Sequence, residues 1–72
     1  MDVTKERIDA AIDLLTTMVV EDIAKERGQD PSEVLPEFLL SGTGQMLLNK
    51  KNKLWWEGPS AIEEMFKKEQ NI

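Results

Sequence analysis

Ile8-Asp9-Ala10-Ala11-Ile12-Asp13-Leu14-Leu15-Thr16-Thr17-Met18-Val19-Val20-Glu21-Asp22-Ile23 is the stretch whose reading decides the fold. At 3.6 residues per turn, Ile8, Ala11, Ile12, Leu15, Met18, Val19 and Ile23 fall on one apolar stripe. Leu14 and Val20 flank that stripe on opposite sides. A face this wide predicts contact with more than one neighbour, and it makes Leu14 and Val20 candidate partner contacts. The helix is expected to start at Val3 or Thr4 and run to Arg27, with Glu21 and Lys25 as a favourable i,i+4 pair. Gly28 is placed to end it in a left-handed conformation. Asp22 falls inside the stripe, between the wheel positions of Ala11 and Leu15. Either it meets a polar group on a partner, or the helix end projects past the core.

Three further helical segments follow. Asp30-Pro31-Ser32-Glu33 reads as an N-cap, a proline at the first helical position and a capping box. Val34, Leu35, Phe38, Leu39 and Leu40 come next, with Pro36 among them predicting a kink or a short turn before the helix proper. A short helix is expected from Gly44 to Asn49, capped by Thr43 and buried through Met46, Leu47 and Leu48. Asn49-Lys50-Lys51-Asn52 reads as a polar turn, and Lys53-Leu54-Trp55-Trp56 as extended or irregular. The last helix starts at Pro59 and runs to about Gln70, with Ala61, Ile62, Met65 and Phe66 on its apolar face. Glu63–Lys67 and Glu64–Lys68 are its i,i+4 pairs.

No segment sustains period-two alternation, so the chain is expected to be all-α. The expected architecture is one domain, residues 1–72, forming a compact bundle of about four helices: one long and N-terminal, two short, one C-terminal. The expected core is the first-helix stripe with Leu35, Phe38, Leu39, Leu47, Leu54, one tryptophan, Ile62 and Phe66.

Seventy-two residues allow a single domain that buries only ~60% of its unfolded surface. There is no cysteine for a disulfide and no histidine or cysteine for structural zinc. Tight packing or association must supply the stability, which points to a homodimer or a protein partner. The charged start reads as no signal peptide, the longest apolar runs are far short of a membrane span, and the opening Met suggests a complete small gene product. A cytoplasmic location is therefore expected.

The net charge of −5 is unevenly spread: residues 1–36 hold nine acids and four bases, residues 37–72 five of each. The N-terminal half would repel nucleic acid and membrane, whereas Lys50, Lys51 and Lys53 form a small basic patch. Lacking histidine and cysteine, the chain lacks the usual catalytic triads and the commonest metal ligands. Glu6, Asp9 and Asp13 read as a solvated helix face rather than a cation site. Ser41-Gly42-Thr43-Gly44 lacks the spacing of a phosphate loop; a helix connection is its plainer reading, with an anion at that helix start as the alternative. The expectation is a non-enzyme with no cofactor and no metal.

Leu54-Trp55-Trp56-Glu57-Gly58-Pro59-Ser60 carries both tryptophans of a chain with four aromatic residues. Adjacent residues do not readily both point inward, so one indole is expected to be exposed and to anchor an interface. Together with Lys50, Lys51 and Lys53, Trp55 and Trp56 could also bind single-stranded nucleic acid by stacking and charge.

Ile23-Ala24-Lys25-Glu26-Arg27-Gly28 and the capped helix after it resemble the opening of DNA-binding helix-turn-helix units. They also resemble the helix–turn–helix part of ribbon-helix-helix antitoxins, without the preceding β-ribbon. The acids of Asp30 and Glu33 lie where phosphates would sit, which argues against duplex binding. More broadly, about Glu21 to Glu69 resembles a family of short, uncharacterised bacterial helical proteins. The resemblance rests on Phe38-Leu39-Leu40-Ser41, Thr43-Gly44 with Leu47, Leu54-Trp55, Gly58-Pro59 and Ile62. An acid expected near Asn49-Lys50 is replaced, and Phe66 stands for the aromatic of the last helix. The resemblance implies a bacterial helical fold and transfers no catalytic residue. The functional expectation is an acidic protein-binding module, an antitoxin-like protein or adaptor, with Trp55, Trp56, Asp22, Leu14 and Val20 as contacts. The alternative is a small nucleic-acid-binding regulator using Lys50, Lys51, Lys53, Trp55 and Trp56.

Overall fold

Helix α1 (Val3–Arg27) has 25 residues. At 1.5 Å per residue it is about 37 Å long, which accounts for the long axis of a molecule measuring 41 × 23 × 19 Å. The computed structural model describes the backbone of residues 3–49 and 54–70, with side chains from Glu6 onward. Helices α2 (Pro31–Leu40), α3 (Gly42–Leu48) and α4 (Pro59–Gln70) pack around α1, and Leu54–Trp56 form one 3-10 turn before α4. The described residues contain no strand, so the fold is an all-α helical bundle.

Helix ends are set by local chemistry. Gly28 adopts φ +68°, its amide donates to the Lys25 carbonyl, and the Gln29 amide donates to the Ala24 carbonyl at 2.9 Å. That is a Schellman end, and it turns the chain toward α2. At the start of α2 the Asp30 carboxylate accepts from the Ser32 amide at 2.9 Å, and the Glu33 carboxylate accepts from the Asp30 amide at 3.2 Å. This is the expected capping box. Pro36 neither starts the helix nor divides it, because α2 is one helix from Pro31 to Leu40. A proline in a helix interior costs ~3 kcal/mol; the capping box before it and buried Val34 and Phe38 on either side hold the helix together.

Between α2 and α3 the boundary lies earlier than expected. Ser41, not Thr43, caps α3: its hydroxyl accepts from the Gly44 amide at 2.9 Å and donates to the Phe38 carbonyl at 2.6 Å. One side chain thus closes α2 and opens α3, and α3 starts at Gly42.

Phe38 of α2 and Phe66 of α4 meet edge-on at the centre, with ring centroids 5.3 Å apart and both rings fully buried. Val19 and Ile23 of α1, Val34, Leu47 and Ile62 are also closed off from solvent, and Ile12, Leu15, Val20, Ala24 and Leu54 complete the core. Five burial expectations need correction. Leu35 is 39% exposed and Leu39 only half-buried, because Val34 and Phe38 take the inward positions one residue earlier. Met18 is exposed at the edge of its stripe, and of the three large apolar side chains of α3 Leu47 is buried while Met46 and Leu48 face outward. The Arg27 guanidinium closes one side of the aromatic pair, lying 5.8 Å from the Phe66 ring centroid and pairing with Glu37.

Helix α3 lies backbone-to-backbone on the end of α2. A Cβ at Gly44 would run into the Phe38 carbonyl and stand 3.2 Å from the Leu39 Cα, whereas one at Gly58 would meet nothing. Backbone cannot yield as a side-chain tip can. The Gly44→Ala variant is therefore expected to lose ~3 kcal/mol, the upper end of overpacking costs, while Gly58→Ala stays close to the parent. Urea denaturation of the two variants checks this directly.

Candidate binding surface

Because Leu54 turns inward and is buried, the next two residues must diverge. Trp55 is half-buried and packs against the core, together with Ile8 and Met65. Trp56 is 79% exposed. The indoles are perpendicular, 89° apart in plane with centroids 5.4 Å apart, and the Glu57 amide closes the turn on the Leu54 carbonyl at 2.9 Å. Trp55 thus braces an outward Trp56.

The other candidate residues are scattered. Leu14 is 60% exposed on α1. Val20, expected to face a partner, is 4% exposed and belongs to the interior. Its side of α1 is covered by α2, so the second neighbour implied by the wide apolar face lies within the chain. Lys50, Lys51 and Lys53 lie outside the described residues.

Asp22 is exposed and has a partner on α4. Its carboxyl group hydrogen-bonds that of half-buried Glu63, which requires a proton between them. Burial, then the hydrogen bond to Asp22 and its charge, push the Glu63 carboxyl up to about 7; Glu26 pushes the same way and Lys67 opposes. Lys67 also bridges to Glu26 at 2.8 Å. The acid–acid contact joins α1 to α4 and was not legible, since residues 41 positions apart share no local pattern.

A second unanticipated contact occupies the Ser41-Gly42-Thr43-Gly44 segment. The Glu69 carboxylate of α4 accepts from the Gly42 amide at 2.7 Å, the Thr43 amide at 2.8 Å and the Thr43 hydroxyl at 2.8 Å. The anion at this helix start is the chain's own. These three donors hold Glu69 below the usual carboxylate range, the Thr43 hydroxyl foremost.

The outward leucines form a third feature. A cleft of about 390 Å³ runs between α1, α2 and α3, lined by Ile12, Thr16, Leu35, Leu39 and Leu48 with Asp9 and Asp13 at its edge. Beyond Leu35 a smaller hollow of about 170 Å³ continues it along Thr17, Val20, Glu21, Pro31 and Ser32. The signal for this surface was the composition of α2: Val34, Leu35, Phe38, Leu39 and Leu40 are too many apolar residues for one buried face.

Among the described residues no helix is long and apolar enough to cross a membrane, and no group of three acidic, histidine or cysteine side chains could hold a metal ion. No family profile matches the chain, and neither a curated protein nor a solved structure matches it.

The Asp22–Glu63 contact gives stability a pH dependence. With Glu63 at about 7 in the folded chain and 4.5 as its ordinary value, the folded state holds a proton that the unfolded state releases. Stability therefore falls as pH rises across that window, then levels off. The Glu63→Gln variant is expected to abolish this slope and raise the melting temperature at pH 8, by ~4–8 °C for each kcal/mol of strain relieved. Asp22→Asn should remove only part of the slope, because burial is the larger cause. Thermal melts between pH 5 and pH 8 read both.

Proposed function

We propose that this chain is a small protein-binding module that acts by associating with itself or by capping another protein, as an antitoxin or adaptor does. The observation that carries the reading is the exposed Trp56 indole braced edge-on by Trp55. Tryptophan is among the side chains most enriched at interface hot spots, and a braced one loses little freedom on binding. Leu40, 82% exposed, and Leu14 add apolar surface to a domain of marginal size. The hydroxyls that meet carboxylates, Ser32 on Asp30 and Thr43 on Glu69, sit at the starts of α2 and α3, where those carboxylates also accept backbone amides, so the reading is non-catalytic.

Light scattering of the full chain over a concentration series, with affinity capture from native lysate before and after nuclease, tests this. Trp56→Ala is expected to weaken self-association or partner capture at least tenfold, the effect of losing an interface hot spot. Its fold should be altered by no more than ~0.5 kcal/mol, as for other exposed positions. Unchanged association in Trp56→Ala, or recovery that nuclease abolishes, would overturn the reading; the second result would favour nucleic acid and the Lys50–Trp56 segment.

A further inference from the structure

We propose that the cleft along the α1–α2 seam seats a cationic amphipathic helix of a partner protein. The inference deepens the protein-binding reading and rests on it, but its contact residues do not include Trp56, which lines neither the cleft nor its continuation.

Shape comes first. The cleft and its continuation follow α1 from Asp9 to Glu21, about 18 Å of helix or roughly three turns. Leu35, Leu39 and Leu48 line it and are not closed off by the fold. The described walls are helices whose backbone groups bond within themselves, and the described residues offer no sheet edge. An extended peptide would find no main-chain ladder here, whereas a helix brings its own backbone bonds and need offer only side chains.

Charge then selects the partner. From Ile8 to Ala24 the first helix carries Asp9, Asp13, Glu21 and Asp22 and no base, and residues 28–49 contain no lysine or arginine. Asp9 and Asp13 edge one part of the cleft and Glu21 the other. An apolar floor with acids of one sign along it complements a helix with leucines on one face and lysines or arginines beside them. A second copy of this chain is a poor occupant: each copy carries −5, and Lys67 and Arg27 are already paired with Glu26 and Glu37.

The probe is a dye-labelled synthetic amphipathic helix of about fourteen residues, ~21 Å long, with leucines on one face and lysines flanking them. Its controls are the same peptide with glutamates for lysines and a scrambled peptide. Fluorescence anisotropy with the full chain is expected to show saturable binding of the lysine peptide alone, weakening as salt rises. Leu35→Lys should reduce affinity at least tenfold, and so should the exposed double variant Asp13→Lys/Glu21→Lys, which should also flatten the salt dependence. Trp56→Ala should leave binding unchanged. Equal binding of the glutamate or scrambled peptide, no binding of any peptide, or retention of affinity by the double variant would each overturn the proposal. If the peptide fails to bind while Trp56-dependent association persists, the cleft assignment falls and the protein-binding reading stands. If the peptide binds as expected while Trp56→Ala changes no association, the cleft assignment stands and Trp56 is not the anchor.

Discussion

The outer architecture of this domain depends on one carboxylate. Helix α3 has seven residues, too few to be stable alone, and it buries a single large apolar side chain, Leu47. Its opening amides would be orphan donors without a partner. Glu69 takes two of them and Ser41 a third, and negative charge is favoured at that end of a helix. The bond also joins the last turn of α4 to the connection after α2, so three helices converge on one side chain. Gly44 then allows α3 to settle on the α2 backbone. Leu48, at the far end of α3, can form a cleft wall only because the near end is held.

The two sides of α1 divide the remaining work. Facing α4, it carries Asp22 and Glu26 against Glu63 and Lys67, a polar seam whose strength varies with protonation. Facing α2, it presents Val20 and Ala24 to the core and leaves Ile12 and Thr16 at the edge of an apolar cleft. The α4 side thus holds the paired acids, while the α2 side holds an apolar cleft edged by Asp9, Asp13 and Glu21. Near neutral pH, protonation of Glu63 acts on how α4 is held against α1.

Much of the fold was legible because it is written locally. The stripe from Ile8 to Ile23, the Gly28 terminus, the Asp30–Glu33 capping box and the proline start of α4 each depend on residues within a few positions of one another. The divergence of Trp55 and Trp56 was legible too, since adjacent residues seldom point the same way. Glu69 was not: its partners lie 26 and 27 residues away, and a glutamate near a helix end reads as ordinary solvated charge. Asp22 looked misplaced on the wheel for a related reason, because its partner Glu63 comes from α4. Leu35 and Leu39 are apolar enough for the core, but packing admits only the Val34–Phe38 row. Pro36 does not delay the helix, which starts at Pro31 behind its capping box and tolerates one lost backbone bond.

The most direct test of this account is an NMR pH titration that follows the Gly42 and Thr43 amides. If Glu69 seats α3, both amide protons shift downfield as the carboxylate ionises, with a common midpoint below the ordinary glutamate value of 4.5, and both lose that response in Glu69→Gln. Amides that ignore pH, or that titrate at the ordinary value and independently of Glu69, would contradict the account and leave the cleft without its third wall.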